Sequence, residues 1–322
     1  MKDEAPETLL DDAAIERIRT DARSVISGEG ITQKLAADEC AIAPGTFNAW
    51  LGGTYAGNND KIAAEVAKWL DARRQRKRLR AIVPTPPPFM QTKTAQRIVE
   101  IFIYAQTLHD MGLVIGPPGS GKTCAAIYYR AANPAVFMAT MEPAKSSTHH
   151  LLSELGSVLR IAERSALRIS DAVVSKLKDR DALLLIDEAQ HLSSEAIDQL
   201  RTIHDKAGCG VVLMGNESIV KKIGDAERVP QLAQLYSRFG MRLSLNRPVT
   251  ADVDALLKEW KVDDKEEIKF MRAIAAKPGG LRALTKTMVA ATAMATGNDE
   301  PRALAHMRDA WTRVGAGPIG NS

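Results

Sequence analysis

The sequence predicts an α/β protein built on a parallel sheet, with an all-helical domain before the sheet and a helical subdomain after it. Three observations support this fold class. A glycine-rich loop, Gly116–Thr123, stands between a short apolar run and a stretch of helix-forming residues. A second apolar run ends in two acidic residues, Asp187 and Glu188. Predicted strands alternate with predicted helices as far as residue 245, and beyond residue 250 only helical periodicity remains.

The N-terminal part of the chain predicts a small helical domain that binds DNA. Residues 1–12 are acidic, which predicts a disordered tail and does not suit a signal peptide. Within residues 13–80, short helical patterns flank a turn, the order found in helix-turn-helix proteins. We expect the recognition helix to present Thr46 and Asn48 to DNA, with Lys61 as a third candidate. Because this pattern is weakly specific, a helical bundle that docks another protein is the alternative.

A basic run closes this domain. Six of the eight residues from Arg73 to Arg80 are arginine or lysine. Such a run is either a solvated segment or an arm that contacts phosphates, and next to a helix-turn-helix we favour phosphate contacts, beginning with Arg73 and Arg74. The proline-rich residues 81–92 follow and predict a stiff linker between domains.

The glycine-rich loop fits the phosphate-binding pattern G-x-x-x-x-G-K-[ST] at every fixed position. Its glycines allow the backbone amides to turn towards phosphate oxygens at the start of a helix. We expect Lys122 to contact the β- and γ-phosphates and Thr123 to offer its hydroxyl to Mg²⁺. The predicted nucleotide-binding residues of this segment are Gly116, Pro117, Pro118, Gly119, Ser120, Gly121, Lys122, Thr123 and Cys124.

Polar residues at the ends of two other predicted strands complete an expected hydrolytic site. Asp187 is expected in the Mg²⁺ shell and Glu188 is expected to polarise the attacking water. Asn216 ends a further strand and is expected to hold that water with Glu188, although a turn residue is the alternative. Together with the loop, these residues predict a nucleoside triphosphatase.

Two arginines are expected to act on the phosphates from outside the sheet. Arg238 precedes the last predicted strand and is the candidate for an arginine finger supplied to a neighbouring subunit, with Arg228 and Arg242 as rivals. Arg282 follows two glycines at a helix start and is expected to contact the nucleotide of its own subunit. We place the α/β subdomain at residues 93–247, a helical lid at residues 248–314 and a loose tail at residues 315–322.

Composition restricts the remaining possibilities. The 322 residues are 45% hydrophobic and 25% charged, as is usual for globular proteins, and the net charge of +4 is permissive of nucleic acid. The three cysteines show no spacing typical of a disulfide framework or a zinc site. Because no apolar run is long enough to span a membrane, we expect no membrane partner and a cytoplasmic location.

In order and spacing, these motifs resemble those of AAA+ ATPases. The combination of a helical N-terminal domain and a proline linker with four further segments is similar to the Mu B family of phage transposition proteins. Those segments are Phe89–Thr94, Leu185–Ala189, Val212–Asn216 and Lys277–Arg282.

The resemblance implies a function as well as a fold. It implies binding of ATP with Mg²⁺, helical self-assembly on double-stranded DNA with little sequence preference, and delivery of that DNA to a DDE-type transposase. It also implies that hydrolysis controls release and gives target immunity, in the cytoplasm of a bacterial host. The candidate contacts to DNA phosphates in the ATPase part are Lys145, Ser146, Arg160, Arg164 and Arg168.

Two alternatives remain open from the sequence. One is a helicase-loader-like or insertion-sequence helper ATPase on the same fold. The other is a DNA-binding regulator that nucleotide merely switches, against which the water-polarising carboxylate of Glu188 argues.

Overall fold

The computed structural model describes residues 11–163, 165–220 and 238–315 of the chain. Most of the two expected tails, together with Arg164 and Arg228, lies outside these residues. The chain divides into two compact units, Met1–Val83 and Pro84–Ser322.

The described part of the first unit is a bundle of four helices. Its helices are α1 (Asp12–Gly28), α2 (Gln33–Glu39), α3 (Pro44–Leu51) and α4 (Asn59–Ile82). Asp11 caps α1 by accepting a hydrogen bond from the amide of Ala14, and Thr32 caps α2 in the same way through Leu35. Phe47 and Trp50 of α3 are fully buried in the common core. The order of short helices agrees with the expectation, and a helix-turn-helix function stays a prediction.

Helix α4 continues through the whole basic run instead of ending before it. Arginine, lysine, glutamine and leucine are good helix formers, and no glycine or proline interrupts the chain until Pro84. The run therefore presents its charges around a helix rather than along an extended arm.

The second unit contains the expected sheet. In the described part of the chain it has five strands, and every neighbouring pair is parallel. The strand order is β2-β3-β4-β1-β5. The strands are β1 (Met111–Ile115), β2 (Val136–Thr140), β3 (Leu183–Asp187), β4 (Gly210–Gly215) and β5 (Phe239–Ser244). Because parallel strands end at the same edge, the glycine-rich loop, Asp187 and Asn216 share that edge. The α/β prediction is confirmed.

Helices cover both faces of this sheet. One apolar cluster contains Ile98 and Phe102, and another contains Leu155 and Leu200. Successive residues of β3 alternate between the clusters, as a strand buried on both faces requires. The covering helices are α5 (Lys93–Leu108), α6 (Lys122–Ala132), α7 (Thr148–Val158), α8 (Ala166–Leu177) and α9 (Ser194–Ala207).

The helical lid follows β5 and has its own apolar core. Met271, Leu284 and Met307 are fully buried there. Its described helices are α10 (Thr250–Glu259), α11 (Lys265–Ala275), α12 (Gly280–Gly297) and α13 (Leu304–Val314). Within the described ranges, no helix combines the length and the apolarity that a membrane crossing demands.

Candidate functional site

The glycine-rich loop after β1 adopts backbone angles that favour glycine. Gly119 has a φ of +81° and Gly121 a φ of +94°, both in the left-handed region. A Cβ atom at Gly119 would lie 1.8 Å from the carbonyl oxygen of Gly279 in the lid, so no side chain fits there. Gly121 caps α6, whose helix begins at Lys122. The loop thus leads directly into a helix N-terminus, the geometry that binds anions.

Lys122 lies over this loop, and within the described ranges it has no acidic hydrogen-bond partner. Its Nζ donates to the carbonyl oxygens of Gly116 and Pro117, at 2.7 and 3.1 Å, and to Ser120 Oγ at 3.2 Å. Burial lowers the pKa of Lys122, and the charge of Arg282 also lowers it, while two nearby carboxylates raise it. A partly buried ammonium bonded to neutral oxygens is stabilised by an added anion, so the loop fits a phosphate group.

Thr123 and Asp187 form the second half of the site. Thr123 Oγ1 donates to Asp187 Oδ2 at 2.8 Å, and the amide of Glu188 donates to Asp187 Oδ1 at 3.0 Å. Burial raises the pKa of Asp187, against the lowering effect of its hydrogen bond from Thr123. Nowhere in the described ranges do three or more histidine, cysteine or acidic side chains gather to hold a metal. One hydroxyl beside one carboxylate instead fits Mg²⁺, which takes its other ligands from water and phosphates.

Gln190 connects the ends of β3 and β4, a role that the sequence analysis missed. Its side chain is buried, its Nε2 donates to Glu188 Oε2, and its Oε1 accepts from the amide of Asn216 at 3.3 Å. A Cβ atom on Gly215 would lie 2.4 Å from that Oε1, so the amide group is tightly enclosed. The carboxylate of Glu188 is thereby oriented by Gln190, which is itself held at the end of β4. The backbone of Glu188 has a φ of +54°.

Asn216 lies at the end of β4, as expected, but its side-chain oxygen already accepts hydrogen bonds within the protein. Its Oδ1 accepts hydrogen bonds from the amide and the hydroxyl of Ser218. This is the turn geometry that the sequence left as an alternative. The side-chain amide nitrogen is the part of Asn216 that remains for a water molecule.

The lid rests directly on the phosphate loop. The amide of Leu281 donates to the carbonyl oxygen of Gly119 at 3.1 Å. Arg282, in the first turn of α12, is exposed. A Cβ atom added at Gly119 would lie 3.3 Å from the Cβ atom of Arg282. The structure therefore brings Arg282 to the loop, as expected, whereas Cys124 is exposed on the first turn of α6.

Arg238 lies away from the loop of its own subunit. It directly precedes β5, so it stands at the amino edge of the parallel sheet while the loop stands at the carboxyl edge. Its guanidinium is half exposed and donates to Asp205 of α9 at 3.0 Å. Its rival Arg242 is exposed on β5, and Arg228 lies outside the described residues. This position cannot serve the same subunit's site.

The basic residues expected to contact DNA differ in whether their side chains are exposed or paired with acidic residues. Arg73 donates to Glu39 and Glu29 and covers the ring of Trp69, so only 14% of its side chain is exposed. Arg74 pairs with Asp21 and Asp71. The side chains of Arg76, Lys77, Arg78 and Arg80 on the same helix are exposed. The basic side chains of the run that are most available to DNA phosphates therefore follow Arg74 in the sequence.

The other candidates occupy three places. Asn48 is exposed on α3 and Thr46 is half-buried. Lys145 pairs with Glu142 at 3.3 Å, and the carbonyl oxygen of Ser146 accepts from the amide of Ser193. Arg160 and Arg168 are exposed, and Arg164 lies outside the described residues.

Comparison with known proteins identifies the family. The family model "Mu B transposition protein, C terminal" matches residues 237–314, and an AAA domain model matches residues 106–223. The ATP-dependent target DNA activator B of Escherichia phage Mu is 31% identical over 302 residues, which cover 93% of this chain and 96% of the relative. The Mu-like prophage FluMu DNA transposition protein B of Haemophilus influenzae is 32% identical over 266 residues, covering 81% and 92%.

A solved structure supports the fold independently. The ORC2 protein of Aeropyrum pernix superposes with a TM-score of 0.55 at 18% identity, over 73% of this chain and 71% of that one. This likeness concerns the fold alone. The family model and the two relatives confirm the resemblance that the motifs indicated, and the chain belongs to the Mu B family of transposition proteins.

Proposed function

We propose that the chain binds ATP with Mg²⁺ at the loop after β1 and uses it to control binding to target DNA. The observation that carries this proposal is the hydrogen bond between Thr123 and Asp187 beside the ammonium of Lys122. When bound, Mg²⁺ would neutralise phosphate charge and orient the terminal phosphate. Thr123 and Asp187 would hold the ion, the loop amides and Lys122 would hold the phosphates, and Arg282 would contact them from the lid.

Hydrolysis is assigned to residues at the same edge of the sheet. Glu188 would accept a proton from the attacking water, and Gln190 would orient its carboxylate. Asn216 would hold the water through its side-chain amide nitrogen. Because Arg238 stands at the opposite edge, it would complete the site of the next subunit rather than its own. ATP would then form part of a contact between subunits, which supports a helical filament of this chain.

The DNA contacts are proposed to be with phosphates, without reading sequence. Arg78, exposed on α4, represents the free part of the basic run, whereas Arg73 is held by two glutamates. Replacing Arg78 by glutamine should make the dependence of log affinity on log salt shallower by about 0.9 if one phosphate contact is lost. Arg73→Gln should mainly lower the thermal stability of the helical unit. The opposite pattern would show that Arg73 is the residue that binds DNA.

Family membership favours a target-delivery role over a helicase loader or a nucleotide-switched regulator. The relative from phage Mu is named an ATP-dependent target DNA activator. By analogy we propose that this chain coats double-stranded DNA and presents it to a DDE-type transposase. Hydrolysis stimulated by that transposase would clear the chain from DNA near the element and give target immunity. This would take place in the cytoplasm of a bacterial host.

The experiment that tests the proposal compares the wild type with Lys122→Ala. We expect the variant to lose binding of a fluorescent ATP analogue and, with it, ATP-dependent binding to random-sequence DNA. Lys286→Ala is the matched control, because Lys286 is an exposed lysine on α12. Nucleotide affinity of Lys122→Ala within a few fold of the wild type would refute the site. In negative-stain images, discrete rings or binding to a single operator would favour the alternatives over a filament.

A further inference from the structure

A buried carboxylate without a partner lies next to the phosphate loop. Asp252, in the first turn of α10, is 2% exposed. Neither of its carboxylate oxygens has a hydrogen-bond partner among the described residues. Burying a polar group without a partner is costly, so native proteins usually satisfy it. The carboxylate is therefore available to a ligand that offers a hydrogen-bond donor at this place.

Asp252 lines a cavity of about 160 Å³ between the sheet subdomain and the lid. This volume is below the roughly 300–1,000 Å³ typical of a pocket for a whole ligand, so the cavity suits one part of a larger molecule. Ser120 of the phosphate loop and Leu281 of α12 also line it. The amide of Leu281 is bonded to the loop at Gly119, so the cavity and the phosphate site share a wall.

The rest of the lining comes from three segments that converge on this space. Thr94 belongs to the first turn of α5 and is buried. Leu245 and Pro248 belong to the connection between β5 and the lid and supply apolar surface. Arg97 and Arg247, both exposed, stand on the lining as well. The cavity therefore combines apolar surface, on which a heterocyclic base can pack, with a largely polar remainder in which Asp252 supplies the buried carboxylate.

We propose that this cavity receives the base of the nucleotide and that Asp252 selects adenine by accepting a hydrogen bond from its exocyclic amine. The proposal rests on the proposed function, because it places the phosphates of the same nucleotide at Lys122 and Thr123. A carboxylate accepts hydrogen bonds and gives none when ionised, so it favours a base edge that carries an amine over one that carries an oxo group. A hypoxanthine base, with an oxo group at that position, is disfavoured.

The test uses the ratio of two affinities in the same full-length protein. Binding of ATP and of inosine triphosphate is measured without DNA for the wild type and for Asp252→Asn. We expect the wild type to prefer ATP by about tenfold or more, in line with a hydrogen bond to a charged group. In the variant the ratio should fall to near one or reverse, because the asparagine side chain also donates and can pair with the oxo group.

Controls separate this inference from fold and from the proposed function. Asp254→Asn is the matched control, because Asp254 lies on the same helix but pairs with Arg272. It should leave the ratio unchanged. The ratio is insensitive to the fraction of folded protein, and a thermal melt of each variant checks that fraction directly.

Three results would overturn the inference. An unchanged ratio in Asp252→Asn, with ATP binding still abolished by Lys122→Ala, refutes the role of Asp252 and leaves the phosphate site intact. A wild type that prefers GTP, with that preference lost in Asp252→Asn, shows that the carboxylate binds the guanine edge. Absence of ATP binding by the wild type removes both the inference and the proposed function.

Discussion

Replacing Gly119 by alanine tests whether the lid is held by the phosphate loop. The added methyl group needs the space of the Gly279 carbonyl oxygen, 1.8 Å away, and approaches Arg282 Cβ at 3.3 Å. Neither atom can move by rotating a side chain, so the lid backbone must shift. The hydrogen bond from the Leu281 amide to Gly119, 3.1 Å long, is then lost.

Gly121→Ala is the matched control for this substitution. Gly121 also has a positive φ, +94°, but a Cβ atom there meets nothing within 4 Å. Both alanines therefore carry a conformational cost of about 1–2 kcal/mol in the left-handed region. Gly119→Ala alone also loses the lid hydrogen bond, worth about 1 kcal/mol, and the packing around it. Since 1 kcal/mol shifts Tm by roughly 2–4 °C in a domain of this size, Gly119→Ala should melt at least that much lower than Gly121→Ala.

Thermal unfolding without nucleotide measures the difference free of any effect on ligand binding. Limited proteolysis reports the lid separately, since a released lid leaves the connection at residues 245–249 between β5 and α10 free to unfold locally, as cleavage requires. We expect faster cleavage there in Gly119→Ala only. Equal melting temperatures and equal cleavage in the two variants would refute the lid contact.

Three further outcomes follow from the site. Gln190→Ala should lower ATP turnover on DNA about tenfold at unchanged ATP affinity, because the Glu188 carboxylate loses the hydrogen bond that orients it. Unaltered turnover would contradict this. Arg238→Ala and Lys122→Ala should each be unable to hydrolyse ATP alone, and a mixture of the two should regain part of the turnover. Normal hydrolysis by Arg238→Ala alone would show that another arginine is the finger. Burial raises the pKa of Asp187, so its ionised form destabilises the fold and wild-type stability falls as pH rises through that raised pKa. Without ligands, Asp187→Asn should therefore melt at a higher temperature than the wild type at pH 7. This difference in melting temperature should shrink as the pH is lowered towards the ordinary carboxyl pKa, and a difference independent of pH would refute this.

The parts of the site that the sequence predicted are those formed by contiguous segments. The loop from Gly116 to Thr123 and the pair Asp187 and Glu188 each carry their strand and turn beside them, so local pattern suffices. The alternation of apolar runs with helices likewise predicted the parallel sheet. The order of the strands, and hence the position of β4 between β1 and β3, was not predicted.

The parts that the sequence could not show depend on contacts between distant segments. Gln190 matters because the end of β4 lies beside it, which its place after Glu188 does not reveal. A run of basic residues shows charge but not partners. Arg73 meets glutamates 34 and 44 residues away, whereas Arg78 five residues later is exposed. Asp252 is similar, because only the placement of the lid reveals that its carboxylate is buried.

One connection joins the proposed nucleotide site to the proposed subunit contact. β5 begins directly after Arg238, and the chain that leaves its end lines the cavity of Asp252 before entering the lid. A ligand held by the loop, the cavity and Arg282 would fix the lid against this strand. Loss of this ligand would free the lid at the carboxyl end of β5, and Arg238 lies at the amino end of the same strand. We therefore expect Gly119→Ala, which detaches the lid, to weaken subunit association on DNA more than Gly121→Ala does, because only the former separates the lid from the strand that positions the finger.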